Sequence, residues 1–225
     1  MKILAIDTAT EQCSVAIVNG EQALARVTPT ARSHADMILP MVDEILCEAS
    51  LTLSDLDVLA FGRGPGSFTG VRIAVSVVQG LAYAVSKPVI GISNLAALAQ
   101  QATDAQRLDV GRVVLVCADA RMQEVYWAKY RVESDGVVLF GAEHVSAPES
   151  VDVASDVTAE LGVGTGWRAY PVLRARHALL PICDDLLPRA QEIAWLAQRE
   201  WRAGKVVSAA EAEPVYLRDN VVTVK

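Results

Sequence analysis

One pattern occurs twice along this 225-residue chain and restricts the folds open to it. A short apolar strand ends at an Asp, and two strand-like runs joined by a tight turn follow. The first copy has Asp7 and the turn Asn19-Gly20, and the second has Asp119 and Ser134-Asp135-Gly136. Asn-Gly between two strand-like runs is typical of a two-residue hairpin. The repetition predicts an α/β chain with two similarly folded lobes, each a mixed sheet with flanking helices.

The division between the lobes is expected at a polar segment near 102–111. This gives an N-terminal lobe over residues 1–102, which carries the partner-binding helices, and a smaller C-terminal lobe over residues 103–225. The tail of the second lobe remains free to pack on the first. Two lobes with an Asp after the first strand resemble the ASKHA architecture of actin, Hsp70 and the sugar kinases. In that architecture paired turns hold a nucleotide between the lobes.

A glycine-rich loop in the first lobe joins a predicted strand to a predicted helix. It lies within Gly62–Ala74, which reads GRGPGSFTGVRIA. Free N–H groups at a helix start favour anions, so the loop is a candidate phosphate site. Asp7 and Asp119 could then hold Mg²⁺ through water, with Thr8 donating to a phosphate oxygen. The alternative is that each Asp only caps a loop.

Composition and charge exclude several classes of protein. Apolar residues make up 52% of the chain, which predicts a folded protein, and the net charge of −7 with no basic cluster disfavours direct, strong binding of RNA. We find no signal peptide, and no apolar run long enough to span a bilayer. The cysteines show no metal-binding spacing and are expected to be reduced, in a cytoplasmic protein. They are Cys13, Cys47, Cys117 and Cys183.

Two predicted helices, Ser33–Ala49 and Thr69–Val85, are more apolar than a surface helix needs to be. The second also carries small residues at helical spacing, which let another helix approach closely. We therefore predict that the pair forms a helical bundle with another subunit; the alternative is that the two helices only cover the sheet and each other. The candidate interface residues are Ile38, Met41, Val42, Ile45, Gly70, Arg72, Ile73, Ser76, Val77, Gly80 and Ala84.

Five segments together resemble one family over nearly the whole chain. They are ILAIDTATEQCSVAIV at Ile3–Val18, SHADMILPMVDEIL at Ser33–Leu46, GRGPGSFTGVRIA, DAR at Asp119–Arg121 and PVYLR at Pro214–Arg218. Their order and spacing are similar to those of the TsaB (YeaZ) family. The resemblance implies a part in placing threonylcarbamoyl on adenosine 37 of tRNAs that read codons beginning with A.

The resemblance also implies partners. The catalytic member of this machinery, TsaD, is a paralogue of the same fold, and TsaE is an ATPase partner. The apolar helices would form a homodimer when the chain is alone and a heterodimer with TsaD. The tRNA would be reached only through the complex, and a nucleotide would bind, if at all, at the junction with the partner.

One departure from the catalytic paralogue bears on the role of the chain. In TsaD the strand after the glycine-loop helix leads into an HxxxH pair that holds a metal. Here the matching segment, Gly91–Gln100, reads GISNLAALAQ, which puts Asn94 and Leu98 at the histidine positions. Asn is a poor ligand for transition metals and Leu is none. We therefore expect no metal site, no catalytic residues and no cofactor, and a dimerising, activating role.

Two other functions remain open at this point. The first is a small-molecule kinase or ATPase that uses Asp7, Asp119 and the glycine turns. The second is a peptidase that uses Ser67 or His34, although no set of nucleophile, base and orienting group is evident. Two arginines also have open roles: Arg72 could pair with a partner or with Asp7, and Arg218 could contact a partner or RNA.

Overall fold

The computed structural model describes residues 1–29, 33–152 and 158–218. These residues form two compact units. The first unit combines Met1–Ala97 with Leu187–Pro214, and the second combines Leu98–Leu186 with the segment from Val215 onwards. The chain thus returns to the first unit after completing most of the second, whereas the sequence predicts a division at residue 102.

The first unit is built on a five-stranded mixed sheet with the order β3-β2-β1-β4-β5. Strands β1 to β3 are antiparallel neighbours, and β4 and β5 run parallel to β1. Its strands are β1 (Lys2–Asp7), β2 (Gln12–Asn19), β3 (Gln22–Pro29), β4 (Val58–Gly62) and β5 (Val89–Ile92). Its helices are α1 (His34–Glu48), α2 (Phe68–Ala84), the start of α3 (Asn94–Gln106) and α6 (Ala190–Arg202).

The sheet of the first unit is covered on both faces. Alternate residues of the central strands, such as Ile6, Val15 and Phe61, share a core with α1 and α2. Residues such as Ala5 and Ala16, whose side chains point to the opposite face of the sheet, are buried too. Helix α6 packs against β1, β2 and β4. A strand that is covered on both faces needs a continuous apolar run, which β1 and β2 have. This packing explains why α6 belongs to the first unit.

The second unit repeats the topology of the first. Its strands are β6 (Val113–Asp119), β7 (Val125–Glu133), β8 (Gly136–Ser146), β9 (Leu161–Val163) and β10 (Ile182–Cys183). They are arranged β10-β9-β6-β7-β8, with β6 to β8 antiparallel and β9 and β10 parallel to β6. Read from the third strand of each unit, the two orders are identical. The short helices α4 (Gly166–Ala169) and α5 (Pro171–Arg176) follow β9.

The structure therefore confirms the predicted fold class, an ASKHA-like α/β chain with two mixed sheets. The strand, loop and helix around Gly62–Gly70 lie where the sequence places them, and so does the β2–β3 hairpin. The hairpin's turn is one residue further on than predicted, because Asn19 pairs with Gln22 and the two turn residues are Gly20 and Glu21. Ser33 occupies the N-cap position of α1, and its side chain makes no capping hydrogen bond with the described residues. Within the described residues, none of the helices is both long and apolar enough to cross a membrane.

Candidate functional site

The glycine-rich loop of the first unit is fastened to the segment that leaves β1. The Thr8 hydroxyl donates to the carbonyl oxygen of Gly70 over 2.6 Å, and the N–H of Ser67 donates to the carbonyl oxygen of Ala9 over 2.7 Å. The N–H of Gly64 donates to Oδ1 of Asn94 over 2.8 Å. Several N–H groups that a phosphate cradle would use are thus directed at acceptors within the protein.

Three glycines are required because this contact leaves no room for a side chain. A Cβ on Gly70 would overlap the carbonyl oxygen of Thr8, and one on Gly66 would lie 2.6 Å from the carbonyl oxygen of Ala9. A Cβ on Gly62 would lie 2.7 Å from Nδ2 of Asn94 and would overlap the carboxyl group of Asp7. The glycines therefore serve close packing of the loop on the chain after β1.

Asp7 lies at the centre of this contact and is fully buried. Burial raises the pKa of its carboxyl group from 3.8 to about 7, although hydrogen bonds from Asn94 and the backbone of Ala9 oppose the shift. Oδ1 accepts a hydrogen bond of 2.6 Å from Nδ2 of Asn94, whereas Oδ2 has no hydrogen-bond partner among the residues that the structure describes. The acid that the sequence singles out is therefore shielded from water and held by an amide.

Asn94 and Leu98, the two positions compared with a histidine pair in the sequence analysis, do not fit a metal ion. Both polar atoms of the Asn94 side chain are engaged, since Nδ2 donates to Asp7 and Oδ1 accepts from Gly64. Leu98 is buried and has no lone pair to offer. Within residues 1–29, 33–152 and 158–218, no group of three or more His, Cys, Asp or Glu side chains is placed to hold a metal.

Asp119, the counterpart of Asp7 in the second unit, is surrounded by donors from the protein. Its Oδ1 accepts from the Tyr170 hydroxyl over 2.9 Å and from the N–H of Arg121 over 2.8 Å, and its Oδ2 accepts from Nη1 of Arg121 over 3.0 Å. Its own N–H donates to the hydroxyl of Thr165 over 3.1 Å. Burial raises the pKa of the Tyr170 hydroxyl, and its hydrogen bond to Asp119 raises that pKa further. Asp119 thus orders its own loop.

Arg218 makes contacts within the second unit. From the sequence alone, its role remains open between contact with a partner and contact with RNA. Its Nη2 donates to the carbonyl oxygen of Ala120 over 3.1 Å and to the carboxylate of Glu124. These two residues bracket a turn in which Arg121, Met122 and Gln123 all have φ between 53° and 61°. Three successive left-handed residues that are not glycine are costly, and Arg218 and Asp119 hold them in place.

The predicted interface residues divide into two groups. Ile38, Met41, Val42 and Ile45 of α1 lie in the unit's own core, and Gly70 is buried beneath Thr8. These five are buried, because the inner side of each helix covers the sheet. The remaining candidates lie on the outer side of α2 and are exposed or half-buried. They are Arg72, Ile73, Ser76, Val77, Gly80 and Ala84.

The outer side of α2 also carries aromatic residues that the sequence analysis did not select. Tyr83 is 80% exposed and Phe68 is 48% exposed, and Leu39 of α1 is 47% exposed. The guanidinium group of Arg72 lies 3.8 Å from the centre of the Phe68 ring, so it stacks on its own helix, and the side chain that contacts Asp7 is Asn94. Because α2 is apolar on every side, its sequence does not reveal which aromatic residues face outwards.

Ser67 and His34 have structural contacts in place of the geometry of a hydrolase. The Ser67 hydroxyl accepts a hydrogen bond from the N–H of Gly70 over 3.3 Å, which makes it the N-cap of α2. Nε2 of His34 lies 2.8 Å from the carbonyl oxygen of Thr10. Each side chain is thus engaged with the backbone, as a capping or loop-ordering residue is.

Comparison with known proteins places the chain in a family. Residues 27–225 match the family model described as TsaD, tRNA N6-adenosine threonylcarbamoyltransferase. The tRNA threonylcarbamoyladenosine biosynthesis protein TsaB of Escherichia coli is 42% identical over 98% of this chain and 96% of its own length. The protein of the same name from Haemophilus influenzae is 41% identical, over 98% and 95%.

A solved structure agrees with these sequence matches. YeaZ from Pseudomonas aeruginosa superposes with a TM-score of 0.85 at 44% identity, covering 96% of this chain and 99% of that one. The resemblance noted from five sequence segments is therefore confirmed at the level of the whole chain. The chain belongs to the TsaB (YeaZ) family of tRNA threonylcarbamoyladenosine biosynthesis proteins.

Proposed function

We propose that this chain is a non-catalytic, activating subunit of the machinery that transfers threonylcarbamoyl to N6 of adenosine 37 in tRNAs reading codons that begin with A. Its task is to bind the paralogous transferase, TsaD, through the outer side of α2 and the adjoining part of α1. The observation that carries this proposal is the pairing of two features in one unit. A buried amide stands where the paralogue has a metal-binding histidine, and an apolar helix face is exposed nearby.

The surroundings of the two acids that end β1 and β6 support a role without catalysis. Asp7 is buried against Asn94, and the carboxylate oxygens of Asp119 accept hydrogen bonds from Arg121 and Tyr170. Neither is arranged as a water-accessible ligand for a nucleotide's metal ion. We therefore propose that the chain alone uses no cofactor, and that a nucleotide binds, if at all, at the junction with the partner.

The outer face of α2 has the composition of a helix-packing surface. Its small exposed residues, Ser76, Gly80 and Ala84, let another helix approach closely, whereas Phe68 and Tyr83 supply large apolar contacts. A shallow groove lies between Ala35 of α1 and the first turns of α2. Aromatic side chains of this kind commonly anchor interfaces. We propose that this surface forms a helical bundle with TsaD, and with a second copy of the chain when TsaD is absent.

The remaining partners follow from the same proposal. With a net charge of −7, the chain is a poor ligand for RNA by itself, so the tRNA is bound through the complex. TsaE joins the assembly as its ATPase, and the reaction takes place in the cytoplasm with the other components of tRNA modification.

A charge at Gly80 tests the interface directly. A Cβ at this position has no heavy atom of the described residues within 4 Å, so Gly80→Glu leaves the fold intact while placing a carboxylate on the proposed surface. We expect its affinity for the TsaD of the same organism, measured by calorimetry, to fall at least tenfold. Ala175→Glu, at an exposed position on α5, is the control and binds like the wild type.

Depletion of the protein in cells tests the function itself. We expect the threonylcarbamoyladenosine content of tRNA to fall, and a plasmid with the wild-type sequence to restore it where Gly80→Glu does not. Unchanged modification after depletion would contradict the proposal. Turnover of ATP by the purified chain with Mg²⁺ would favour the kinase or ATPase alternative.

A further inference from the structure

Asn94 connects two parts of the first unit that are far apart in the sequence. It is the first residue of α3 and is 1% exposed. Its amide nitrogen donates to Asp7 at the end of β1, and its amide oxygen accepts from the N–H of Gly64 in the glycine-rich loop. One side chain thus uses both ends of its amide group to fasten the loop to the sheet.

The glycine-rich loop packs closely against the side chains of Asp7 and Asn94. The loop passes Asp7 and Asn94 so tightly that Gly62 has no room for a Cβ beside either side chain. The amide group of Asn94 supplies both a donor and an acceptor, which fit the acceptor that Asp7 offers and the donor that Gly64 offers. A residue that lacks either function leaves a buried polar group without a partner.

The glycine-rich loop in turn determines where α2 begins. Only a few residues separate Gly64 from Ser67, the N-cap of the helix, and Ser67 and Gly70 are tied to Ala9 and Thr8. The loop therefore has little freedom to adjust if its contact at Gly64 is lost. A shift there is transmitted to the first two turns of α2, which carry Phe68 and Arg72 on their outer side.

We propose that Asn94 is a positioning residue for the partner-binding face of this chain. Through Asp7 and Gly64 it fixes the glycine-rich loop, and so fixes the first turns of α2 in the orientation that the partner recognises. This inference rests on the proposed function, because the face is the one assigned to TsaD. A position that binds metal in the paralogue has here become a structural connection between the sheet and the interface helix.

Exchange of the two side chains provides a sharp test. Asn94→Asp sets two buried carboxyl groups against each other, and at pH 8 they repel. In the double variant Asp7→Asn with Asn94→Asp, Asn at position 7 donates and Asp at position 94 still accepts from Gly64, so both hydrogen bonds are restored. Asn19→Asp, an exposed position at the β2–β3 turn, makes the same chemical change outside the site.

Two measurements at pH 8 are made on each full-length variant: the affinity for TsaD, and the hydrogen exchange of backbone amides 62–72. We expect Asn94→Asp to bind at least tenfold more weakly and to exchange faster over these residues. The double variant should recover to within about threefold of the wild type in both measurements, and Asn19→Asp should not differ from it.

The outcomes separate this inference from the proposed function. Wild-type affinity in Asn94→Asp, or a double variant as weak as Asn94→Asp, would overturn the role of Asn94. If Asn94→Asp does not fold, recovery of folding and affinity in the double variant supports the inference, and failure of the double variant to recover overturns it. If the wild type does not bind TsaD, the proposed function is wrong, and the partner-positioning role is overturned with it, even where amide exchange shows that Asn94 orders the loop.

Discussion

The hydroxyl of Thr8 donates a hydrogen bond of 2.6 Å to the carbonyl oxygen of Gly70, and both residues are buried. Thr8 follows β1 directly, whereas Gly70 lies in the first turn of α2. The bond therefore joins the sheet to the helix whose outer side we assign to the partner. Because both residues are buried, the Thr8 hydroxyl depends on this carbonyl oxygen for its acceptor.

Thr8→Val should destabilise the protein by about 1–2 kcal/mol, since it keeps the shape of the side chain but leaves the carbonyl oxygen of Gly70 without this donor. Thr8→Ser retains the hydroxyl and should lose less. Denaturation in urea, followed by circular dichroism, gives the two free energies of unfolding. No loss in Thr8→Val together with a loss in Thr8→Ser would show that the methyl group of Thr8, and not its hydroxyl, matters here.

Two glycines of α2 should respond in opposite directions to the same substitution. Gly70→Ala brings a Cβ into the carbonyl oxygen of Thr8, and we expect a loss of about 1–3 kcal/mol from the resulting strain. Gly80→Ala meets no heavy atom within 4 Å and removes a flexible residue from a helix, so it should stabilise the protein by up to about 1 kcal/mol. Thermal unfolding measures both, and a loss in Gly80→Ala would contradict this account.

The sequence predicts the duplicated framework well because that framework depends on local patterns. Apolar runs that end at Asp7 and Asp119, and turn residues such as Gly20, each determine an element without help from distant residues. The glycine-rich loop is likewise predictable as a strand-to-helix connection. Its contact with the chain after β1 is not, because the partners Thr8 and Gly70 are distant in the sequence.

Local sequence patterns do not predict which side of a helix faces inwards. Helix α1 reads as one apolar stripe, and the stripe faces the protein's own core, where Ile38 and Ile45 are buried. Helix α2 is apolar on every side, and only packing shows that Tyr83 faces outwards. The return of α6 to the first sheet likewise follows from packing, since an amphipathic helix has no preferred sheet.

The buried carboxyl group of Asp7 should make stability depend on pH. Its pKa is about 7 in the folded protein against an ordinary value of 3.8 in the unfolded chain, so the folded state retains a proton that the unfolded state releases. The folded state therefore loses stability as the pH rises from about 4 to about 7, and above this range the penalty is complete. Asp7→Asn removes the charge and keeps an acceptor for Asn94.

We expect Asp7→Asn to gain stability relative to the wild type as the pH rises, with a difference between pH 5 and pH 8 on the order of 2–3 kcal/mol. Urea denaturation at several pH values between 5 and 8 measures it. Glu149→Gln, at an exposed position, serves as a control for the loss of one negative charge. Parallel pH profiles for the wild type and Asp7→Asn would show that Asp7 is not the group responsible.

Arg218 should control access to the turn that follows Asp119. The left-handed residues Arg121, Met122 and Gln123 cost on the order of 1 kcal/mol each, and Arg218 offsets this cost through Ala120 and Glu124. Arg218→Ala removes hydrogen bonds to a charged group and to a carbonyl oxygen, which contribute about 1.5–3 kcal/mol at such sites. The turn should therefore open roughly ten times more often.

Limited digestion with trypsin reports this opening, because the side chain of Arg121 is 83% exposed and trypsin cleaves after arginine. We expect cleavage after Arg121, identified by mass spectrometry, to be about tenfold faster in Arg218→Ala than in the wild type. Arg202→Ala, at the end of α6, also removes one arginine and should leave the rate unchanged. Arg218→Lys keeps a positive charge but lacks the planar guanidinium group with its several N–H donors, so it should recover only part of the protection from trypsin. Equal rates in all four proteins would mean that Asp119 and its hydrogen bonds hold the turn without Arg218.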